Sequence, residues 1–220
     1  METTTIMAEP SARSANKQKR KDRILSAARQ TIAKKGFDAL KLRELAVSAD
    51  VTVPTIYNLI GGKPDILNLI IGDLMAKIEE VQSNVDTGSA ESAFETLIEK
   101  LAELFAMDED YYRAAFIAGD RSGLFEHSSE TGIFASFVAQ PIAVCREAKD
   151  KGLLLGKISS EQLGEHVYGA YRLARQDWSN GYFDLREFRR QSLTGVYLCL
   201  ASDAAPDFRE KLFQKIAALQ

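Results

Sequence analysis

The stretch Lys41 to Lys63, KLRELAVSADVTVPTIYNLIGGK, constrains this chain more than any other. Leu42, Leu45, Ala46 and Ala49 recur at helical spacing, Asp50-Val51 interrupts them, and a second short helix opens at Thr52 and carries Ile56 and Ile60 inward. Two helices crossing steeply over so short a turn need a small residue where their backbones come closest, and Ala46 stands there. The turn also requires a residue that tolerates positive φ, which Asp50 does at some cost. Thr52 is placed to cap the second helix through its hydroxyl, and Pro54 falls in the first turn, where its missing N–H removes a donor that has no intrahelical partner. Facing outward are Val53, Pro54, Thr55, Tyr57 and Asn58. Short hydroxyl and amide groups, an aromatic hydroxyl and apolar atoms suit base edges, phosphates and thymine methyls in a DNA major groove. A helical hairpin that merely packs has the same spacing, so these residues alone leave both readings open.

From Ile24 to about Leu74 the chain resembles the N-terminal DNA-binding domain of the TetR-like (tetracycline-repressor-type) transcriptional regulators. The resemblance is carried by a first helix ending in KKGFDAL, by LRELAVSADV, by TVPTIYNLI and by GGKPDIL opening a long fourth helix. It implies that Thr52, Pro54, Thr55, Tyr57 and Asn58 face the groove and that Lys63 is the phosphate-binding lysine. Val53 and Arg43 complete the set of DNA-contact candidates. Three departures stand out: no Thr or Ser caps the second helix near Leu40-Lys41, Asp50 replaces the family's Gly, and Ile60 replaces an aromatic.

The net charge of −3 conceals an uneven distribution. Residues 1–63 hold 12 Lys and Arg against 6 Asp and Glu, and the remainder 16 against 25, giving a basic head on an acidic body. Residues 1–18 are polar and unpatterned and read as a mobile tail. Arg13, Lys17, Lys19, Arg20, Lys21 and Arg23 then form a basic run, either a solvated helix start or an arm that neutralises phosphates. The first helix runs from about Asp22 to Lys35 with Ile24, Leu25, Ala28, Thr31 and Ile32 inward; Gly36 stops it, and Phe37 and Leu40 plug the head.

A long helix follows from Pro64 to about Asn84, and the body reads as helices over 90–107, 110–118, 129–151, 160–180, 185–202 and 206–219. The expected architecture is therefore all-α: a tail over 1–18, a three-helix helix-turn-helix domain over 19–63, and a helical ligand-binding and dimerisation domain over 64–220. A length of 220 residues with 45% hydrophobic and 27% charged residues is ordinary globular composition. No apolar run approaches the ~18 residues that span a bilayer, and no signal core opens the chain, so a cytoplasmic protein is expected.

Enzyme chemistry finds little support. GGK at Gly61–Lys63 is followed by Pro64 where a phosphate-binding loop needs Ser or Thr, and no strand precedes it. Cys145 and Cys199 are far apart, and only His127 and His166 accompany them, so neither a metal site, a cofactor nor a disulfide framework is expected. Both thiols read as core residues, with a redox-reactive Cys145 as the alternative.

The resemblance implies that the last two long helices, 160–180 and 185–202, pair with their copies in a homodimer. Gly169, Ala170, Ala174, Gly195 and Ala201 would permit that approach, or else pack only within the monomer. Candidates for an effector pocket are Leu101, Phe105, Tyr112, Phe116, Phe134, Phe137, His166 and Tyr171, against the plainer reading of an aromatic core. The function expected is a dimeric regulator, a repressor released from its operator by a small apolar or amphipathic effector. The alternatives are a helix-turn-helix DNA binder controlled by a protein partner or by no ligand, and an all-α enzyme.

Overall fold

A computed structural model describes residues 12–83, 88–126 and 132–220. Among them are ten α-helices and one turn of 3-10 helix, with a single isolated bridge between Leu154 and Ala204 in place of any strand. The chain divides into two compact units, Met1–Ile70 and Ile71–Gln220. The division falls inside a helix, beyond the boundary expected at Lys63, since the first turns of that helix bury Ile66, Leu67 and Ile70.

The first unit holds α1 (Ala12–Lys35), the 3-10 turn Phe37–Ala39, α2 (Leu42–Ser48), α3 (Val53–Leu59) and the start of α4 (Lys63–Ser83). Helix α1 begins well before Asp22, so residues 12–18 of the expected tail are helical; residues 1–11 lie outside the described ones. No Gly or Pro follows Pro10 until Gly36, and the Gln18 amide donates to Asp22 one turn on at 2.8 Å. The basic run lies on this extension, with Arg13, Lys17, Lys19, Arg20 and Arg23 exposed. Ile24, Ala28 and Ile32 are buried as the periodicity requires, whereas Leu25, Thr31 and Phe37 are only half-buried. Gly36, at φ 76°, adopts the left-handed backbone that ends α1 without a Cβ penalty.

The second unit comprises the rest of α4 with α5 (Ala90–Ala106), α6 (Glu109–Arg121), α7 (Ile133–Asp150), α8 (Ser160–Ser179), α9 (Leu185–Ala201) and α10 (Pro206–Ala218). Side-chain caps start four of them: Ser89, Asp108, Ser159 and Asp184 accept from the backbone N–H three residues on. Helix α7 follows Gly132, which takes a left-handed φ of 69°; the start expected at Ser129 lies within residues 127–131, which, His127 among them, are outside the described set. Helix α8 packs between α7 and α9. A Cβ at Gly164 would lie 2.6 Å from the Ile142 backbone nitrogen, and one at Gly195 would lie 2.7 Å from the Ala170 Cβ, so both contacts need glycine. Asp203, buried after α9, accepts from the backbone N–H groups of Gly156 and Lys157 at 2.8 and 3.0 Å and joins two loops. Phe94, Ile98, Cys145, Val167, Val196 and Leu212 belong to the cluster these helices enclose.

Candidate nucleic-acid interface and body cavity

The α2–α3 turn forms as its residues dictate. Val51 N–H bonds to the Ala46 carbonyl at 3.0 Å and Asp50 N–H to that of Val47 at 3.2 Å, the paired bonds of a Schellman cap. Such a cap puts the residue after the C-cap in the left-handed region. Asp50, at φ 51°, is the one non-glycine residue with positive φ among those described. The Arg23 guanidinium of α1 holds it from outside, 3.3 Å from its carboxylate and 3.5 Å from its carbonyl. Ala46 and Ala49 are buried beneath the crossing. At the other end of α2, Lys41 occupies the N-cap and its side chain caps no backbone N–H of the helix, as the departure at Leu40-Lys41 led one to expect.

Helix α3 starts on Thr52, whose hydroxyl accepts from Thr55 N–H at 3.3 Å and lies 2.8 Å from the Thr55 hydroxyl. Pro54 sits in the first turn. Ile56 is fully buried, and its anchoring turns Thr52, Pro54, Tyr57 and Asn58 outward, with Val53 and Thr55 half-buried beside them. Tyr57 is 57% exposed, a large aromatic side chain standing off the surface. Arg43 is exposed on α2. Lys63 opens α4, but its ammonium donates to the Asp38 carbonyl at 3.0 Å and lies 4.7 Å from the centre of the Phe37 ring. One of its three N–H groups is thus engaged within the domain, which leaves two for an incoming oxygen. Asp65, accepting from Gly62 N–H at 2.7 Å, closes the turn before it.

Within the second unit a cavity of about 30 Å³ opens, room for one or two waters. Leu97, Ile98 and Leu101 of α5 face Phe137, Gln140 and Pro141 of α7 across it, and Val167, Tyr168 and Tyr171 of α8 close it with Val196 of α9. Ile78 and Gln82 of α4 and Phe94 of α5 complete the wall. Of the eight pocket candidates only Leu101, Phe137 and Tyr171 line it. Phe105, Tyr112 and Phe116 belong instead to a buried aromatic cluster, where Phe105 stacks on Trp178 at 4.9 Å and meets Phe116 edge-on at 5.3 Å. Phe134 packs edge-on against Tyr168 at 5.5 Å, and His166 is exposed on the outer side of α8.

Helical spacing could not separate cavity wall from core, since both bury aromatic residues at the same period. Two of the other wall residues carry a signal in the sequence: Gln82 and Gln140 are uncharged polar residues among apolar neighbours at helical spacing.

Below the aromatic cluster, Arg175 is buried and paired with Asp120 at 2.9 Å, its guanidinium 4.5 Å from the Phe116 ring centre. Cys145 is fully buried, and burial pushes its thiol up to about 12, which opposes the reactive reading. Among the described residues no group of His, Cys, Asp or Glu is arranged to hold a metal, and no helix is long and apolar enough to cross a membrane.

An exposed short helix on a tight turn, joined through α4 to a helical body, defines an all-α helix-turn-helix protein of two units. The sequence model described as bacterial regulatory proteins, tetR family, matches residues 24–70. Among solved structures, a TetR-family transcriptional regulator from Pectobacterium atrosepticum superposes with a TM-score of 0.66 at 17% identity, covering 87% of this chain and 97% of that one. CprB, a TetR family protein from S. coelicolor A3(2), gives 0.64 at 16% identity over 91% and 97%, and an ArpA-like gamma-butyrolactone receptor gives 0.62 at 15% over 93% and 97%. No curated protein sequence matches the chain. Residues 24–70 thus match the tetR-family model, and the chain as a whole shares the fold of these solved TetR-family structures.

Proposed function

We propose that the chain acts in the cytoplasm as a homodimeric repressor, which α3 docks into the major groove of an operator and which a small apolar or amphipathic effector releases. The observation that carries the DNA half is the face of α3. Ile56 anchors it, while Thr52, Pro54, Tyr57 and Asn58 stay exposed beside a basic α1. Arg43, Val53, Thr55 and Lys63 complete the proposed contact set.

A single short helix reads few bases, so a two-fold pair on a near-palindrome is the economical arrangement. Leu173 of α8 and Leu198 of α9 are 61% and 52% exposed, and with Gly169, which has open space around it, they support pairing through that face. Ala174, Ala201 and the Gly195–Ala170 contact are used inside the monomer.

The effector half rests on the cavity and on the helix α4, whose residues belong to both units. A ligand shifts the DNA-binding equilibrium only if it binds one state better than the other. That one structural relative is a gamma-butyrolactone receptor supports a small, neutral effector. The cavity's small volume supports a second reading, a DNA binder governed by a protein partner or by no ligand. The test is selection of bound fragments from genomic DNA, followed by titration of compounds against the selected complex. Specific binding of a near-palindrome that a compound dissolves supports the proposal. A specific complex that no compound disturbs favours the second reading, and no specific DNA at all overturns both.

A further inference from the structure

We infer that the body cavity is built for an uncharged, largely apolar ligand bearing a hydroxyl group, which donates to Gln140 and accepts from Tyr171. The inference rests on the proposed reading of this cavity as the effector site.

Two of the residues that line this cavity carry a buried polar atom without a partner. The Gln140 Oε1 and the Tyr171 hydroxyl belong to wall residues, are shut off from solvent, and make no hydrogen bond. Buried polar atoms are partnered in the great majority of cases, so two orphans in one apolar cavity mark a place where another molecule completes them. Burial pushes the Tyr171 phenol well above its ordinary range, so it keeps its proton and can donate.

The rest of the wall decides the ligand's charge. None of the described wall residues is Asp, Glu, Lys, Arg or His. A carboxylate or an ammonium would find no counter-charge in the wall, at a large desolvation cost. Among neutral groups, an ether or ketone oxygen accepts from Tyr171 and leaves Gln140 unpaired, whereas a hydroxyl donates and accepts through one atom. The present volume holds such a polar end, and the apolar remainder must part the walls. Helix α7 is the wall with the weakest ladder, because Pro141 has no N–H for the Phe137 carbonyl one turn back, and both residues face the cavity.

The test uses the full chain and three probes of one chain length, 1-octanol, octyl methyl ether and octanoate, with dissociation constants measured by calorimetry. The alcohol should bind about tenfold or more tightly than either of the others. Tyr171→Phe and Gln140→Met should each shrink that gap, and both should raise the thermal midpoint of the ligand-free protein, since each removes an unpaired buried group. Equal binding of alcohol and ether, no binding of any probe, or lowered midpoints in both variants would overturn the inference. Operator release followed on the same samples separates the two levels. A preference for the alcohol with no effect on DNA supports the cavity chemistry and sinks the effector reading. Release by the probes without that preference keeps the effector reading and overturns the hydroxyl.

Discussion

Asp50 shows how much can hang on one backbone angle. The Schellman cap of α2 demands a left-handed residue, and an aspartate there carries a steric cost that a glycine does not. Its carboxylate gains only an exposed ion pair with Arg23, a type of contact that contributes ~0–1 kcal/mol. Asp50→Gly is therefore expected to raise the unfolding free energy by about 0.5–1 kcal/mol, read from denaturant midpoints. Lys41 presents the same logic at the start of α2. Replacing it with Thr supplies the absent cap and should add roughly 1 kcal/mol, a gain that the exposed Lys41–Glu44 pair is too weak to offset. Both gaps were legible in the sequence, because the turn and the cap each require a particular residue type at a fixed offset. Cys145 makes a pH prediction. With its thiol pushed up to about 12 by burial, the folded chain keeps a proton that the unfolded chain releases at lower pH. Its contribution to stability is full below the ordinary thiol range and falls as pH climbs toward 12. At pH 8 the native thiol should not react with Ellman's reagent, while the denatured chain should titrate both cysteines.

At the scale of the element, α3 was readable and the cavity was not. A short helix with one apolar anchor, Ile56, leaves little freedom about which side chains face out, so Pro54, Tyr57 and Asn58 follow from spacing, while Val53 and Thr55 are half-buried at the edge of that face. The pocket candidates came from an aromatic stripe, and the stripe divided: Leu101, Phe137 and Tyr171 reached the cavity while Phe105, Tyr112 and Phe116 joined Trp178 in the core. Which neighbour a buried ring meets depends on how helices pack, and local sequence does not contain that. Likewise α1 starts ahead of Asp22 without a sign in the sequence, because charged residues at the surface of a helix have no apolar period to betray it. The core assignment carries its own prediction: Trp178→Ala should cost about 3–5 kcal/mol and lower the thermal midpoint sharply, since a large side chain leaves a cavity its stacked partners cannot fill. Lys63→Ala belongs to this scale too. If its free N–H groups meet a phosphate, the slope of log affinity against log salt should fall by about 1 while the preferred sequence stays the same.

At the scale of the molecule, a basic helix-turn-helix unit is joined to an acidic helical body, and the proposed function requires that body to pair. The charge asymmetry between residues 1–63 and the rest was plain in the sequence, as was the all-α architecture. The pairing face was only partly so, because small residues serve close packing within a monomer and between monomers alike. Leu173→Glu together with Leu198→Glu places charge on the proposed face; the expected result is a folded monomer by sedimentation, with operator affinity reduced at least tenfold. The most direct measurement is the affinity of the purified chain for its selected DNA at fixed salt, compared between wild type and Tyr57→Ala. The account predicts a loss of about tenfold or more for the selected site, with non-specific binding and the thermal midpoint nearly unchanged. Unaltered specific affinity in a folded Tyr57→Ala protein would mean that α3 does not read DNA.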